Sequence, residues 1–161
     1  MDISLYSYAA ILFHDKGMCS RIMTDLNANL PKTLTLIGLG PGSAEFRLPL
    51  ADSRLRSVTD VVGYDFYFKF IESQYPSKTY HASKLGSEVD RASLALDLAA
   101  QGKLTALVSS GDIGIYAMAS VVFELLHRSD NAQWGDIEVD VVPGISAMQS
   151  LSAQVGAVLG H

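Results

Sequence analysis

Three short stretches of the sequence place glycine where the main chain could meet a ligand. They are GLGPGS at residues 38–43, SSGDIGIY at residues 109–116 and VVPGISA at residues 141–147. Glycine lets the backbone approach a ligand closely or adopt a positive φ angle, and helix starts offer N–H groups that lack a partner within the helix. The second stretch also carries a carboxylate, Asp112, between two apolar runs. These residue types indicate a ligand site made largely of main chain.

Each stretch also has a simpler interpretation. GLGPG partly matches the dinucleotide fingerprint G-x-G-x-x-G, but Ser43 stands at the third glycine position and Pro41 removes a donor that a pyrophosphate would need. A nicotinamide or flavin site is therefore disfavoured. Asp112 alone could be an acid stabilised by the dipole at a helix start, and the Pro143-Gly144 pair alone could be a plain turn.

The elements around these stretches alternate between strand and helix patterns, which predicts parallel strands joined by crossover helices. Strands are predicted at residues 33–40, 59–64, 104–110 and 137–142, and helices at residues 47–57, 87–102, 116–128 and 146–155. The predicted fold class is α/β, with an open, mainly parallel sheet flanked by helices. Each glycine-containing stretch follows a strand, so all three should gather at the carboxyl edge of the sheet, where such folds bind ligands.

The patterns also predict how individual elements are capped and buried. Ser87 with Asp90, and Ser146 with Gln149, have the spacing of capping boxes. Residues 104–110 are apolar on both faces, as in a central strand, and residues 116–128 are apolar nearly all round, which predicts a well-buried helix. One helical face before Gly102 is predicted to carry Val89, Ala92, Leu96 and Ala99.

Composition limits the possible functions. The chain has 161 residues, 48% of them apolar, a formal net charge of -5 and no run of lysine and arginine. A broad surface for nucleic acid or acidic lipid is therefore not expected, and no apolar stretch approaches the roughly 20 residues that span a bilayer. The single Cys19 excludes an internal disulfide, and the scattered histidines predict no metal site. A cytoplasmic location is expected, since the N-terminus lacks the basic start of a secretion signal.

The three stretches, together with TDVVGYDFY at residues 59–67 and the segment at residues 87–120, resemble the tetrapyrrole methylase family over residues 33–161. The resemblance implies an S-adenosylmethionine-dependent methyltransferase of cobalamin biosynthesis. These motifs are most similar to those of members that methylate precorrin-3B, a small-molecule tetrapyrrole, at ring carbon 17 with ring contraction. Family members have two α/β domains with the cofactor between them, and this sequence looks like the first domain, with the second absent. Residues 1–32 are an extension of unknown structure.

The resemblance also assigns roles to individual positions. Asp65 matches an acid proposed as a proton acceptor, although it could equally be a surface aspartate. Ile113 stands where the family usually has proline, so the turn loses a fixed φ angle. The residues placed against the cofactor are Pro41, Ser110, Gly111, Asp112, Ile115, Ser146 and Ala147.

Substrate carboxylates call for positive charges. Arg47 and Arg54, seven residues apart, are expected on one helical face and could contribute, as could Lys84, although all three could simply be solvated. Two other functions stay open: a related methyltransferase acting on another tetrapyrrole or on a macromolecule, and a non-catalytic interaction module. The cleft edge that a second domain would cover should be apolar, so a homodimer is expected under all three of these functions.

Overall fold

A five-stranded sheet forms the centre of this computed structural model, which describes residues 31–157. The strands are β1 (Thr33–Gly38), β2 (Asp60–Tyr64), β3 (Thr79–Ser83), β4 (Thr105–Ser109) and β5 (Glu138–Val142). They lie in the order β3-β2-β4-β1-β5, and every neighbouring pair is parallel. The predicted α/β fold is confirmed. Most of the predicted extension, residues 1–32, lies outside the described residues.

Helices join the strands on both faces of the sheet. They are α1 (Pro49–Ser57), α2 (Asp65–Phe68), α3 (Glu88–Ala100), α4 (Met118–Arg128) and α5 (Ala147–Val155), with short 3-10 helices at Ala44–Phe46 and Ala132–Trp134. Helix α1 begins at Pro49 and not at residue 47, because a residue before proline is held extended, and Leu48 has φ -65° and ψ 142°. Arg47 therefore lies outside the helix, and the expectation that Arg47 and Arg54 share a helical face is wrong.

Two apolar layers hold the sheet between the helices. Alternate residues of a strand point to opposite faces, so β1 contributes Leu36 to one layer and Ile37 to the other. The layer under α3 and α4 includes Leu34, Leu36, Val62, Leu96, Leu107 and Val122, and the layer under α1 and α2 includes Ile37, Leu55, Val61, Phe68 and Val108. Each fully buried leucine, isoleucine or valine stabilises the fold by roughly 1.5–3 kcal/mol relative to exposure.

The position of a strand in the sheet explains whether its apolar pattern could be recognised in the sequence. Strand β4 lies in the middle of the sheet and all its residues are buried, as its two-sided apolar pattern predicts. Strand β3 has no counterpart in the sequence-based prediction. Among the described strands it is an edge strand, paired with β2 alone, and it is partly exposed, so its sequence TYHAS lacks a continuous apolar run.

The predictions for two helices need correction. The buried side chains of α4 are Met118, Ala119 and Val122, whereas Phe123 is 47% exposed, so the prediction of burial nearly all round is wrong. Within residues 31–157, the buried side chains of α4 lie on one side of the helix. On α3, Ala92, Leu96 and Ala99 are buried as predicted, but Val89 is exposed. The buried stripe of α3 begins instead at Arg91.

The start of α3 also differs from its prediction. Ser87 makes no side-chain capping hydrogen bond, because its backbone, with φ -108° and ψ 35°, is not in the extended form that a capping box requires. Glu88 accepts a hydrogen bond from the Gly86 N–H instead, at 3.1 Å. None of the helices described in residues 31–157 has the length and apolar character needed to cross a membrane.

A buried acid lies at the opposite edge of the sheet from the three glycine-containing stretches. Asp60, at the start of β2, is 4% exposed and accepts hydrogen bonds from Thr59 at 2.8 Å and Lys103 at 3.2 Å, with His81 Nε2 at 2.7 Å. Burial acts to raise the pKa of Asp60, but the hydrogen bonds with His81, Thr59 and Lys103 outweigh it. The pKa is therefore held below its ordinary value of 3.8.

Acid should destabilise the fold partly through Asp60. Because the folded-state pKa lies below 3.8, the contribution of this carboxylate is complete above that value and is lost as pH falls through the folded pKa. We expect the free energy of unfolding, measured with urea from about pH 5 to about pH 2, to fall less steeply in Asp60→Asn than in the wild type. Asp130→Asn, at an exposed position, should keep the wild-type slope. Equal slopes in all three proteins would contradict the assignment.

Candidate functional site

The three glycine-containing stretches meet at one edge of the sheet. They follow β1, β4 and β5, which are neighbours in the order β4-β1-β5, so their predicted position at a shared carboxyl edge is confirmed. The first two turns are joined directly: the Gly40 N–H donates to the Gly111 carbonyl at 3.1 Å, and the Gly111 N–H donates to the Gly40 carbonyl at 2.7 Å. This pair extends the contact between β1 and β4 beyond the end of the strands.

Asp112 connects the second turn to the third. Its Oδ1 accepts from the Gly114 N–H at 2.7 Å, and its Oδ2 accepts from the Gly144 N–H at 2.9 Å. The next helix, α4, begins only at Met118, so the alternative interpretation of Asp112 as an acid at a helix start is wrong. Asp112 holds two turns together through main-chain N–H groups.

The turns pack so closely that side chains are excluded at their contact. A Cβ atom on Gly144 would lie 2.2 Å from the Gly111 carbonyl oxygen and 2.9 Å from the Gly38 carbonyl carbon, both backbone atoms that cannot swing away. Gly111 itself has φ +66°, a conformation that residues with a Cβ rarely adopt. Glycine is required here by contact between backbones as well as by conformation.

A cavity of about 710 Å³ opens beside the three turns. Its wall includes all seven residues that the sequence places against a cofactor, which are Pro41, Ser110, Gly111, Asp112, Ile115, Ser146 and Ala147. The volume lies within the range of about 300–1,000 Å³ typical of small-molecule sites. The structure therefore brings these residues to one cavity, and their contact with a cofactor stays a prediction.

Helix α5 begins in the cavity wall with the capping box that its sequence predicts. The buried Ser146 hydroxyl accepts from the Gln149 N–H at 3.2 Å, and the Gln149 side chain accepts from the Ser146 N–H at 2.9 Å. The hydroxyl and the N–H of Ser146 are thus both engaged within the helix start. Ser146 contributes a fixed main-chain surface to the cavity, followed by Ala147.

The remaining wall is mainly apolar and aromatic. Tyr64, Tyr67, Met118 and Val121 line it, and the Tyr64 and Tyr67 rings pack edge to face with centroids 5.2 Å apart. Tyr116 is fully exposed and has φ 50°, which is unusual for a residue other than glycine. A cavity with this wall suits an organic ligand that has both apolar and polar parts.

Arg47 and Arg54 are not brought to this cavity. Arg47 is buried, pairs with Asp52 at 2.6 Å, and donates to the Phe70 carbonyl at 3.1 Å and to Gln74. Burial acts to raise the pKa of Asp52, but hydrogen bonds from Tyr75 and Arg47, together with the positive charge of Arg47, lower it below its ordinary value. Arg47 is therefore held in a structural cluster, and the expectation that it binds substrate is not supported by its position.

Arg54 lies near the amino end of the sheet. Its Nε donates to Asp140 Oδ2 at 2.6 Å, and it lines a second depression, of about 380 Å³, with Thr33, Thr105 and other residues. Strands β1 and β4 start at Thr33 and Thr105, so this depression lies at the edge opposite the glycine turns. A ligand in the main cavity would not reach Arg54.

Lys84 and Asp65 follow strands at the correct edge but do not form part of the cavity wall. Lys84 comes directly after β3 and has an exposed side chain, while its main-chain carbonyl accepts from Arg91 at 2.7 Å. Asp65 opens the short helix α2 and is exposed, between the wall residues Tyr64 and Tyr67. The predicted role of Asp65 as a proton acceptor stays a prediction.

Two buried polar residues of the wall were not among the predicted site residues. Ser109, the last residue of β4, and Arg91, on α3, are both buried and both line the cavity. A signal existed for Arg91, since it falls on the same helical face as Ala95 and Leu98, where a charged residue is unusual. Among the residues that the structure describes, no group of three histidine, cysteine, aspartate or glutamate side chains is placed to hold a metal ion.

Comparison with known proteins identifies the fold and the motifs together. The Cobalamin biosynthesis protein CobIJ of Mycobacterium tuberculosis is 39% identical over 134 residues, which cover 83% of this chain and 25% of that protein. The Precorrin-3B C(17)-methyltransferase of a Sinorhizobium species is 36% identical over 129 residues, covering 80% of this chain and 50% of that one. The crystal structure of the methyltransferase CobJ matches with a TM-score of 0.73 at 40% identity, covering 80% and 52% of the two chains.

The matched segment is only part of each of these relatives. The chain spans a quarter of CobIJ and about half of the other two proteins. The family model for Tetrapyrrole (Corrin/Porphyrin) Methylases matches residues 33–161, which includes all three turns and the cavity between them. The chain belongs to the tetrapyrrole methylase family.

Proposed function

We propose that this chain forms the cofactor-binding part of an S-adenosylmethionine-dependent methyltransferase of cobalamin biosynthesis. Its substrate would be the corrin precursor precorrin-3B, methylated at ring carbon 17 with ring contraction. The observation that carries the proposal is that the seven residues assigned to the cofactor by the family resemblance all line one cavity. The names of the relatives support the reaction class. Because the chain spans a quarter to a half of their length, the complete reaction is proposed for the enzyme to which this part belongs.

The residues of the cavity fit this cofactor. S-adenosylmethionine, when bound, supplies a methyl group on a positively charged sulfonium. The Asp112 carboxylate contributes negative charge at the cavity wall, and its two hydrogen bonds leave further lone pairs on its oxygens. Ile115 offers apolar surface for an adenosine. The cavity thus combines two acids, Asp112 and Glu88, with main-chain groups and apolar walls.

Positioning is the main contribution expected from these residues. Methyl transfer is a displacement, so it depends on holding the nucleophilic carbon and the methyl group in line at near contact. The joined turns provide a rigid support, because Gly40 and Gly111 exchange main-chain hydrogen bonds and the Gly144 N–H donates to the Asp112 carboxylate. Asp65 is proposed to accept a proton during the steps that accompany contraction, in an enzyme where a substrate reaches the exposed start of α2.

A cytoplasmic location and a homodimer complete the proposal. The biosynthetic roles named for the relatives support the location. Exposed apolar side chains support self-association, since Met148, Leu151 and Val155 on α5 are each more than half exposed. A non-catalytic interaction module is the second candidate, and the same exposed apolar residues favour it.

Titration with S-adenosylhomocysteine tests the cofactor site. We expect saturable binding by the 161-residue chain, measured by calorimetry, and a loss of about tenfold or more in Ile115→Arg, which places a charge in the cavity wall. The matched control is Leu104→Arg. Leu104 has a similar exposure, 46% against 47% for Ile115, but it lies beside the depression at the opposite edge of the sheet.

The outcomes separate the two candidates. Binding that is weakened by Ile115→Arg and not by Leu104→Arg supports the cofactor site. A folded chain that binds no S-adenosylhomocysteine contradicts that site, and stable dimers under the same conditions would favour the interaction module. Equal losses in both variants would show that binding does not depend on the cavity.

A further inference from the structure

Arg91 is a buried cation in the wall of the cavity. Its side chain is 4% exposed, and each part of the guanidinium has a contact. Nε donates to the Ser83 hydroxyl at 2.5 Å, Nη2 donates to the Lys84 carbonyl at 2.7 Å, and Nη1 lies 3.3 Å from Met118 Sδ. These contacts fix the guanidinium beneath the cavity, between the end of β3 and the start of α4.

The positive charge of Arg91 is not closely neutralised by the protein. The three acceptors are a hydroxyl, a carbonyl and a thioether, all of them uncharged. Within the described part of the chain, the recorded ion pair of Arg91 is with Glu88, at 4.0 Å, and the Glu88 side chain is 44% exposed. A guanidinium has more N–H donors than these contacts use. A buried charge without a close counter-ion is costly, which makes an anion from outside a favourable partner.

Ser109 presents a second unsatisfied group to the same cavity. Its hydroxyl is buried and has no hydrogen-bond partner among the described residues. Ser109 lies two residues after Leu107, which packs under α3 and α4, so the Ser109 side chain is on the sheet face that α3 covers. Arg91 belongs to α3. A guanidinium and a free hydroxyl therefore line the same side of the cavity, and both can donate hydrogen bonds to a carboxylate.

The position of Arg91 separates it from the glycine turns. Its two oxygen acceptors, on Ser83 and Lys84, lie at the end of β3, which is two strands away from β4 and three strands away from β1 in the sheet. With neighbouring strands about 4.8 Å apart, this end of the cavity is about 10 Å from the turn that follows β4 and about 14 Å from the turn that follows β1. A cofactor held at the turns would leave the Arg91 end for a second molecule.

We propose that Arg91, assisted by Ser109, binds a carboxylate of the tetrapyrrole substrate. This inference rests on the proposed function and names the residues that recognise the substrate. Corrin precursors carry several carboxylate side chains, and a planar guanidinium binds such groups with defined geometry. Arg91 takes the substrate-binding role that the sequence suggested for Arg47 and Arg54, both of which form ion pairs away from the cavity.

The test compares two ligands and two arginine variants. Uroporphyrin III, a tetrapyrrole with many carboxylates, serves as the substrate probe and is followed by quenching of its fluorescence. S-adenosylhomocysteine reports on the cofactor end. We expect Arg91→Gln to weaken uroporphyrin binding by about tenfold to a hundredfold, the effect of losing a charged hydrogen-bond donor, while binding of S-adenosylhomocysteine changes less than about twofold. Arg56→Gln, which removes an exposed arginine of α1, should leave both affinities unchanged.

Ser109→Ala keeps the test decisive if Arg91→Gln fails to fold. Because the Ser109 hydroxyl makes no hydrogen bond within the described residues, its removal should not destabilise the fold, and we expect it to weaken uroporphyrin binding by several-fold, about the effect of one hydrogen bond. Wild-type affinity in Ser109→Ala together with a misfolded Arg91→Gln would overturn the proposal.

Three further outcomes would also overturn it. They are wild-type chain that does not bind uroporphyrin, folded Arg91→Gln that binds it normally, and equal losses for both ligands in Arg91→Gln, which would assign the arginine to the cofactor carboxylate. The proposed function fails separately. Wild-type protein that binds uroporphyrin through Arg91 but does not bind S-adenosylhomocysteine would contradict the cofactor site and support the carboxylate site.

Discussion

Gly144→Ala should destabilise the fold by roughly 2–4 kcal/mol and abolish binding of S-adenosylhomocysteine. The new methyl carbon would lie 2.2 Å from the Gly111 carbonyl oxygen and 2.9 Å from the Gly38 carbonyl carbon. Because both neighbours are backbone atoms, relief requires the third turn to move away from the first two. That movement would also lengthen the hydrogen bond from the Gly144 N–H to Asp112. Urea unfolding followed by Trp134 fluorescence measures the stability, and calorimetry measures the binding.

Gly135→Ala is the matched control for this substitution. Its Cβ atom would meet only the Ala132 carbonyl oxygen, at an ordinary distance of 3.6 Å, and the φ angle of Gly135 is -62°. We expect its stability to stay within about 0.5 kcal/mol of the wild type and its ligand binding to be unchanged. If Gly144→Ala were as stable as Gly135→Ala and bound ligand normally, the close packing of the three turns would not be needed for either property.

The second large effect is expected for Asp112→Ala. This change removes the acceptors of the Gly114 and Gly144 N–H groups, and the second of these bonds is partly buried. An unpaired buried donor costs about 1–3 kcal/mol, so we expect a loss of stability of that size. The affinity for S-adenosylhomocysteine should fall by at least about tenfold, because the turn that carries Ser146 and Ala147 into the cavity is no longer tied to the turn after β4.

Two variants show whether the carboxylate acts through the main chain. Asp112→Asn should also lose stability, since an amide can accept from one of the two N–H groups but presents a donor to the other. Asp136→Ala, at an exposed position, should behave as the wild type. Stability and binding in Asp112→Asn that equal the wild type would mean that the two accepted hydrogen bonds are not what Asp112 contributes.

The periodicity of apolar residues and the turn residues predicted an element well where the burial of that element constrains every residue in it. Strand β4 is covered on both faces, and its unbroken apolar run shows this directly. Strand β3 has one neighbour and partial exposure, so its residues are not constrained to an apolar pattern. Helix α4 has apolar residues on more than the side that packs against the fold. Composition alone does not tell which of these residues contact the sheet. Phe123 is exposed although nothing local distinguishes it from Val122.

The residues of the candidate site also fall into two groups, those that local sequence predicts and those that depend on tertiary structure. The turns could be located because glycine and proline record local backbone requirements, and the capping box at Ser146 is a local pattern. Arg91 and Ser109 depend on tertiary structure. The contacts of Arg91 come from the end of β3, from Lys84 and from Met118, and the lack of a partner for the Ser109 hydroxyl among the described residues is a property of the folded surroundings. Arg47 shows the converse, since its burial among Asp52, Phe70 and Gln74 cannot be deduced from its spacing to Arg54.

The strand order has a consequence for how the protein is made. Strand β1 is the first strand of the sheet to leave the ribosome, yet its partners are the fourth and fifth: Leu34 lies opposite Thr105 on one side and Val139 on the other. At about 5–20 residues per second, translation takes on the order of several seconds between the first strand and its first partner. During that interval the segment with Leu34, Leu36 and Ile37, all fully buried in the finished fold, remains unpaired in the nascent chain. Chaperone binding to this segment during synthesis would therefore protect the strand that later joins β5 to the other three strands of the sheet.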